Sequence, residues 1–216
     1  MEKVNPISES VLDQYEILTP FDTDADVFLV KDRETKELFV EKTVYIHNPA
    51  IYEQMRDGSF EGVPRIYRIF SEYGKTILIE EYIHGLDLMQ MVANKGPFPE
   101  NEVVSYMIRL CQILDQFHRM DPPVIHKDVK PGNLILTNES ELYLIDFNIS
   151  REFNPDSSID TIAMVSPHFS APEAYGFGQS DTRSDIYSIG ATMHYLLTGG
   201  YLKETLYQGP LREVIE

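Results

Sequence analysis

The sequence predicts an α+β protein in two lobes, a small antiparallel β lobe followed by a larger helical one. Two observations carry that prediction. Up to about residue 82 the apolar residues fall in short runs separated by charged turns. Beyond residue 88 they recur at helical spacing and culminate in one long apolar helix.

Taken in order, "DVFLV" and "LFVEKTVYI" flank the polar turn "KDRETKE" and form one predicted hairpin. "RIYRIF" and "TILIEEYI" flank "SEYGK" and form another. Between them "NPAIYEQMRDG" suits one short helix, with Pro49 near its start and Gly58 after its end. The small lobe is expected to span residues 1–82 and the large lobe 88–216, joined through residues 81–87. From Glu100 to Met120 the residues Val103, Tyr106, Met107, Leu110, Leu114 and Phe117 recur at three- and four-residue steps, the pattern of an amphipathic helix. "NLILT" and "LYLIDF" flank "NESE" and predict a further short hairpin. "SDIYSIGATMHYLLT", Ser184 to Thr198, is apolar nearly all round and stops at Gly199-Gly200, which predicts a buried helix.

Composition narrows the function. The chain has 216 residues, of which 43% are hydrophobic, enough for a substantial core. Its 18 basic and 35 acidic residues give a net charge of −17, which argues against nucleic acid and anionic membranes as partners. No signal-peptide core and no apolar run of about 18 residues is present, so a soluble, cytoplasmic protein is expected. The single cysteine, Cys111, is expected to be a small core residue of the helix from Glu100.

The chemistry concentrates in "VIHKDVKPGNLIL", residues 124–136. A His, two Lys and an Asp stand within a short stretch that apolar residues bracket on both sides. This stretch resembles the catalytic loop of the eukaryotic-type (Hanks-type) serine/threonine protein kinases. His126-Lys127-Asp128 stands for that family's His-Arg-Asp, and Asn133 follows Asp128 at the motif's spacing. Asp146-Phe147-Asn148 stands for Asp-Phe-Gly, and Ala171-Pro172-Glu173 reproduces Ala-Pro-Glu. "SDIYSIG" resembles the start of the family's buried helix, with Asp185 and Gly190 in place, and "FVEK" resembles its third strand and nominates Lys42.

The resemblance implies a two-lobed protein kinase-like fold whose large lobe is truncated at its C-terminal end. It implies a catalytic loop at 126–133, an activation segment at 146–173, and ATP with Mg2+ as cofactors. Asp128 would accept the substrate hydroxyl's proton or orient that hydroxyl, and Lys130 would neutralise the migrating phosphoryl. Asn133 and Asp146 would hold magnesium. Lys42 would hold the nucleotide phosphates, paired with Glu53 of the short helix. Glu81 and Ile83 would meet adenine through backbone groups, and Val27, Val40 and Ile135 would line the nucleotide pocket. Glu80 falls at the gatekeeper position, where a carboxylate is unusual and within possible reach of Lys42. His126 is expected to be a structural histidine bonded to backbone. The partners implied are ATP and a protein substrate or regulator.

Four departures from the family pattern stand out. "PFDTDADVFLV" replaces the glycine-rich loop and places Asp22, Asp24 and Asp26 where ATP phosphates would approach. Lys127 replaces the arginine that would grip an activation-segment phosphate, although Ser157, Ser158, Thr161 and Ser166 lie in that segment. Asn148 replaces glycine, a mild change if the position needs a left-handed backbone. The large lobe is short: "GPLREVIE" resembles the beginning of a late helix, and the late arginine that would pair with Glu173 is absent from it. The sequence therefore reads either as a truncated version of a longer protein or as a minimal kinase with another partner for Glu173, for which Arg183 is the nearest candidate. Beside an active serine/threonine kinase the sequence admits a pseudokinase acting as a binding module. It also admits a small-molecule kinase of the antibiotic-phosphotransferase type, against which the activation segment and "APE" speak.

Overall fold

The computed structural model describes residues 13–21, 26–45, 50–72, 75–153, 165–176, 178–202, 204 and 206–215. They fall into two compact units. The smaller comprises Met1–Phe60 and Pro64–Ile83, and the larger comprises Glu61–Val63 and His84–Glu216.

The smaller unit is a five-stranded antiparallel sheet in the order β1-β2-β3-β5-β4. Its elements are β1 (Tyr15–Pro20), β2 (Val27–Asp32), β3 (Leu38–Val44), helix α1 (Ala50–Asp57), β4 (Ile66–Glu72) and β5 (Lys75–Glu81). The β2–β3 turn forms because Asp32 Oδ1 accepts the amides of Glu34 and Thr35 at 2.8 and 2.9 Å, while Lys36 takes a left-handed φ of 66°. On one face of the sheet Val30 and Ile79 are fully buried beneath Tyr15 and Phe39, with Phe28 and Phe70 packed alongside. Alternation then sends Val40 and Lys42 to the other face.

The larger unit contains β6 (Gly85–Asp87), α2 (Leu88–Lys95), α3 (Glu100–His118), β7 (Val124–Ile125), β8 (Leu134–Thr137), β9 (Leu142–Leu144), β10 (Arg151–Glu152), α4 (Thr182–Thr198) and α5 (Arg212–Ile215). β6, β8 and β9 form a three-stranded sheet, and β7 pairs with β10. The Asp87 carboxylate caps α2 by accepting the Gln90 amide at 2.8 Å. α3 buries Val103, Met107, Leu110, Ile113, Leu114 and Phe117, the predicted stripe with Ile113 in place of Tyr106. α4 opens with a reciprocal cap, in which Asp181 accepts the Arg183 amide at 2.8 Å and Ser184 Oγ accepts the Asp181 amide at 3.2 Å. It closes on Gly199 in the left-handed conformation.

Two expectations are corrected here. Cys111 is exposed. It follows Leu110 by one residue, about 100° around the helix, which carries it off the buried stripe. α4 is buried along its second half, but Ile186 and Tyr187 in its first half are 56% and 42% exposed. The inward positions there belong to the polar residues Ser184, Asp185 and Ser188, which are held inside by the hydrogen bonds they make.

Candidate active site

The residues that follow β7 are fixed by a single carboxylate. β7 delivers the chain through fully buried Val124 and Ile125. Immediately afterwards the amides of His126 and Lys127 donate to Asp185 Oδ2 and Oδ1, each at 2.9 Å. His118 Nε2, at the end of α3, lies 2.8 Å from Asp185 Oδ2. Asp185 has no exposed surface, so these contacts replace the hydration that its carboxylate gives up. They also hold Lys127 at a φ of 69°, a left-handed conformation that lysine adopts only when its surroundings impose it.

Above this anchor the Asp128 side chain gathers three donors. Lys130 Nζ at 2.8 Å and Asn133 Nδ2 at 2.9 Å both donate to Oδ2. Ser166 Oγ donates to Oδ1 at 2.5 Å and accepts from Lys130 Nζ at 2.9 Å. Asn133 Nδ2 also reaches the Asp128 carbonyl at 2.8 Å, which locks the loop's backbone to its side chain. The result is a carboxylate oriented by a cation and an amide, with a hydroxyl hydrogen-bonded to its other oxygen. Such a group can take a proton from an alcohol whose developing charge the neighbouring ammonium offsets.

His126 is buried and neutral, because burial holds its pKa below the ordinary histidine value. Its Nδ1 accepts the Asp128 amide at 3.2 Å, which puts the proton on Nε2. Its ring meets Phe147 edge-on with centroids 4.6 Å apart, and Phe147 in turn packs on Phe117 at 4.8 Å. Ser150 Oγ donates to the His126 carbonyl at 3.1 Å, so the residues after Asp146 are tied back to the stretch that carries Asp128.

Asn133 and Asp146 stand at the same end of the β8–β9 pair, since the Ile145 amide donates to the Asn133 carbonyl at 2.9 Å. Asn133 spends its amide nitrogen on Asp128, which leaves its side-chain oxygen as the donor atom for a cation. Two oxygen donors suit magnesium, whose remaining ligands would come from phosphate and water. Asp146 itself carries the left-handed φ of 68°, and Asn148 does not. The replacement of glycine by Asn148 therefore imposes no backbone strain, and the reason expected for its tolerance is corrected.

In the smaller unit Lys42 lies on β3, only 6% exposed, opposite Val27 of β2 and Leu78 of β5. Val40, two residues before it, stands opposite Glu80. Glu53 does not join them. It occupies the exposed side of α1, whose buried residues are Ile51, Tyr52 and Met55, and its electrostatic neighbour is Arg56. The expected Lys42–Glu53 pair is thus not what the structure brings together: α1 turns its apolar residues inward and this carboxylate outward. Glu81 ends β5 with its amide donated to the Arg65 carbonyl at 2.8 Å, and Ile83 follows it, buried. In the larger unit Ile135 lies on β8 between Asp87 and Tyr143.

Of the acidic stretch, Asp22 and Asp24 lie outside the described residues, as do Ser157, Ser158 and Thr161. Asp26 Oδ1 accepts a hydrogen bond from the Tyr45 hydroxyl at 3.2 Å, and the Tyr45 ring carries Lys75 Nζ at 5.5 Å. Glu173 takes its hydrogen bond from Ser184 Oγ at 2.5 Å. The expected partner Arg183 is instead bound to Asp181 through contacts of 2.7 and 3.0 Å. The cap geometry turns Arg183 toward Asp181, and Ser184, one residue on, faces inward to Glu173. Sequence reasoning treated Ser166 only as a possible phosphorylation site and gave Ser184 and Ser150 no role. A lone serine carries no signal of the long-range contact that gives it one.

A five-stranded lobe with one helix, and an Asp-Lys-Asn loop anchored by the buried Asp185 of α4, define the protein kinase-like class. The chain matches the protein kinase domain over residues 23–209, and it belongs to that family. It is 36% identical over 144 residues to serine/threonine-protein kinase C of Synechocystis sp., covering 63% of this chain and 26% of that protein. It is 32% identical over 197 residues to serine/threonine-protein kinase B of the same organism, covering 87% of this chain and 32% of that protein. It is also 32% identical over 151 residues to serine/threonine-protein kinase PknK of Mycobacterium bovis, covering 68% of this chain and 13% of that protein. The chain therefore spans a third or less of the length of these curated relatives. Among the described residues no helix is long and apolar enough to cross a membrane.

Proposed function

We propose that this chain transfers the γ-phosphoryl group of ATP to a serine or threonine hydroxyl of a protein, in the cytoplasm where ATP is supplied. The observation that carries the reading is the Ser166 hydroxyl, which donates a hydrogen bond to Asp128 Oδ1 at 2.5 Å and accepts one from Lys130 Nζ at 2.9 Å. Those are the two contacts a phosphoacceptor alcohol needs, one for its proton and one for the charge that moves onto it. The names of the curated relatives point the same way.

In this reading the acceptor oxygen bonds to the γ-phosphorus as the bond to the bridging oxygen of ADP breaks. The acceptor's proton passes to Asp128, and Lys130 offsets the charge on the phosphoryl oxygens in transit. Asn133 Oδ1 and the Asp146 carboxylate would hold magnesium, which when bound neutralises charge on the phosphates. Lys42 would meet the phosphates from the smaller unit. The Glu81 carbonyl and the Ile83 backbone would read adenine, with Val27, Val40 and Ile135 as its apolar contacts.

The test is transfer of labelled γ-phosphate to a panel of serine, threonine and tyrosine peptides and proteins. Labelled serine or threonine in the wild type, lost in Asp128→Asn, is the expected result. Binding of magnesium–ATP with no transfer to any acceptor overturns the activity, and transfer to small hydroxylated molecules alone overturns the substrate class.

A further inference from the structure

Lys42 needs a carboxylate. A lysine that is only 6% exposed is almost never left unpaired in a protein interior. The β3–β5 register states which carboxylates of the sheet share its face. Lys42 stands opposite Leu78 and Val40 stands opposite Glu80, and directly opposed residues share a face of the sheet. Lys42 and Glu80 are thus diagonal neighbours on one face, with Cβ atoms about 7–8 Å apart, a gap that a lysine and a glutamate side chain span together.

The other occupants of that face on the strands around Lys42 do not compete. Val27, Leu29 and Lys31 on β2, Leu38, Val40 and Val44 on β3, and Thr76 and Leu78 on β5 supply no second carboxylate. Glu41 and Glu81 alternate to the opposite face. Glu80 is partly buried, so its charge is less screened than that of Glu53, which stands in solvent beside Arg56.

We infer that Glu80, the carboxylate at the gatekeeper position, is the positioning partner of Lys42, in place of an acidic residue on α1. It holds the ammonium at the sheet face where the nucleotide phosphates are received. The inference rests on the phosphate-binding role proposed for Lys42. Its consequence is that the lysine is oriented within the sheet itself: β3 and β5 are hydrogen-bonded neighbours, so the lysine's orientation does not depend on the placement of α1.

The experiment is a double-mutant cycle with Lys42→Met and Glu80→Gln, repeated with Glu53→Gln in place of Glu80→Gln. It is read in urea unfolding, in binding of a fluorescent ATP analogue with magnesium, and in kcat and KM for ATP. Glu80→Gln is expected to weaken nucleotide binding and raise KM for ATP about tenfold while kcat changes less. Glu80→Asp, which keeps the charge, recovers part of that loss, and Glu80→Leu recovers none. In a Lys42→Met background Glu80→Gln should have no further effect, in unfolding as in binding. Additive effects of Lys42 and Glu80 in unfolding overturn the pair even if the enzyme is an active kinase. Coupling of Lys42 to Glu53 instead of Glu80 also overturns it. If the wild type neither binds nor turns over ATP, the proposed function fails by that result. Coupling in unfolding alone would then leave a structural pair and overturn the orienting role.

Discussion

Asp185 Oδ2 accepts the backbone amide of His126 at 2.9 Å across 59 positions of sequence. The same carboxylate holds the next amide, that of Lys127. The two residues that follow β7 are therefore held by a helix that begins only at Thr182. Asp185→Ala strands two buried amides and should cost about 3–5 kcal/mol in urea unfolding. Asp185→Asn keeps one acceptor and should cost roughly half as much. Both should lower turnover more than nucleotide affinity, as seen by comparing kcat with analogue binding.

His126 gives a pH signature. Burial lowers its folded-state pKa below the unfolded value of about 6.5, so the unfolded chain binds more protons as pH falls. The stability it contributes is fully present above the unfolded pKa and is lost as pH falls toward the folded one. One proton corresponds to a slope of at most about 1.4 kcal/mol per pH unit. Unfolding free energies of wild type and His126→Asn, measured from pH 7.5 to 5, should converge as pH drops. Parallel curves would mean that the buried ring does not titrate differently in the two states.

Asp128→Asn keeps the size of the side chain and removes the carboxylate proposed to accept the proton. Turnover should fall by about 10²–10⁴-fold, the usual worth of a positioned base. The thermal shift induced by magnesium–ATP should remain within about a factor of two of wild type.

Ser166 bridges Asp128 and Lys130. Ser166→Ala should reduce kcat about tenfold by letting both side chains relax, at a cost of about 1.5 kcal/mol for a hydrogen bond to a charged group. Ser166→Thr retains the hydroxyl and should preserve most of the rate. Equal rates for the alanine and threonine variants would remove the bridge from the mechanism.

Ser184 and Arg183 make a contrasting pair of variants. Ser184→Ala removes both the hydroxyl that donates to Glu173 and the acceptor for the Asp181 amide, and should cost about 1–2 kcal/mol. Arg183→Gln breaks only a solvent-exposed contact with Asp181 and should leave the unfolding midpoint unchanged.

What the sequence made legible was whatever repeats locally. The β2–β3 and β4–β5 hairpins, α1, α3, the β8–β9 hairpin and α4 all show as periodicity bounded by turn residues. β1 did not, because its residues after Tyr15 are exposed and carry no alternating apolar face. β7 and β10 have two residues each, too few for any period. In the candidate site the motif spacing nominated Asp128, Lys130, Asn133 and Asp146, and the structure draws Lys130 and Asn133 onto Asp128 and sets Asp146 at the same end of the β8–β9 pair as Asn133. Partnerships formed over long stretches of chain escaped: Ser184 with Glu173, Ser166 with Asp128, and the outward turn of Glu53. A residue's type limits what it can bond to, and only the fold says which partner is near.

The adjacency of Ser184 and Asp185 has a consequence for how this chain tolerates change in length. One faces Glu173 and the other faces the His126 and Lys127 amides, so a single turn of α4 is indexed to two separate stretches of chain. Deleting or inserting one residue between the Asp181 cap and Ser184 would turn those contacts by about 100° and break all of them at once. Substitutions along the outer side of that turn, at Ile186 or Tyr187, leave the indexing intact. The stretch is therefore permissive toward spelling and intolerant of frame.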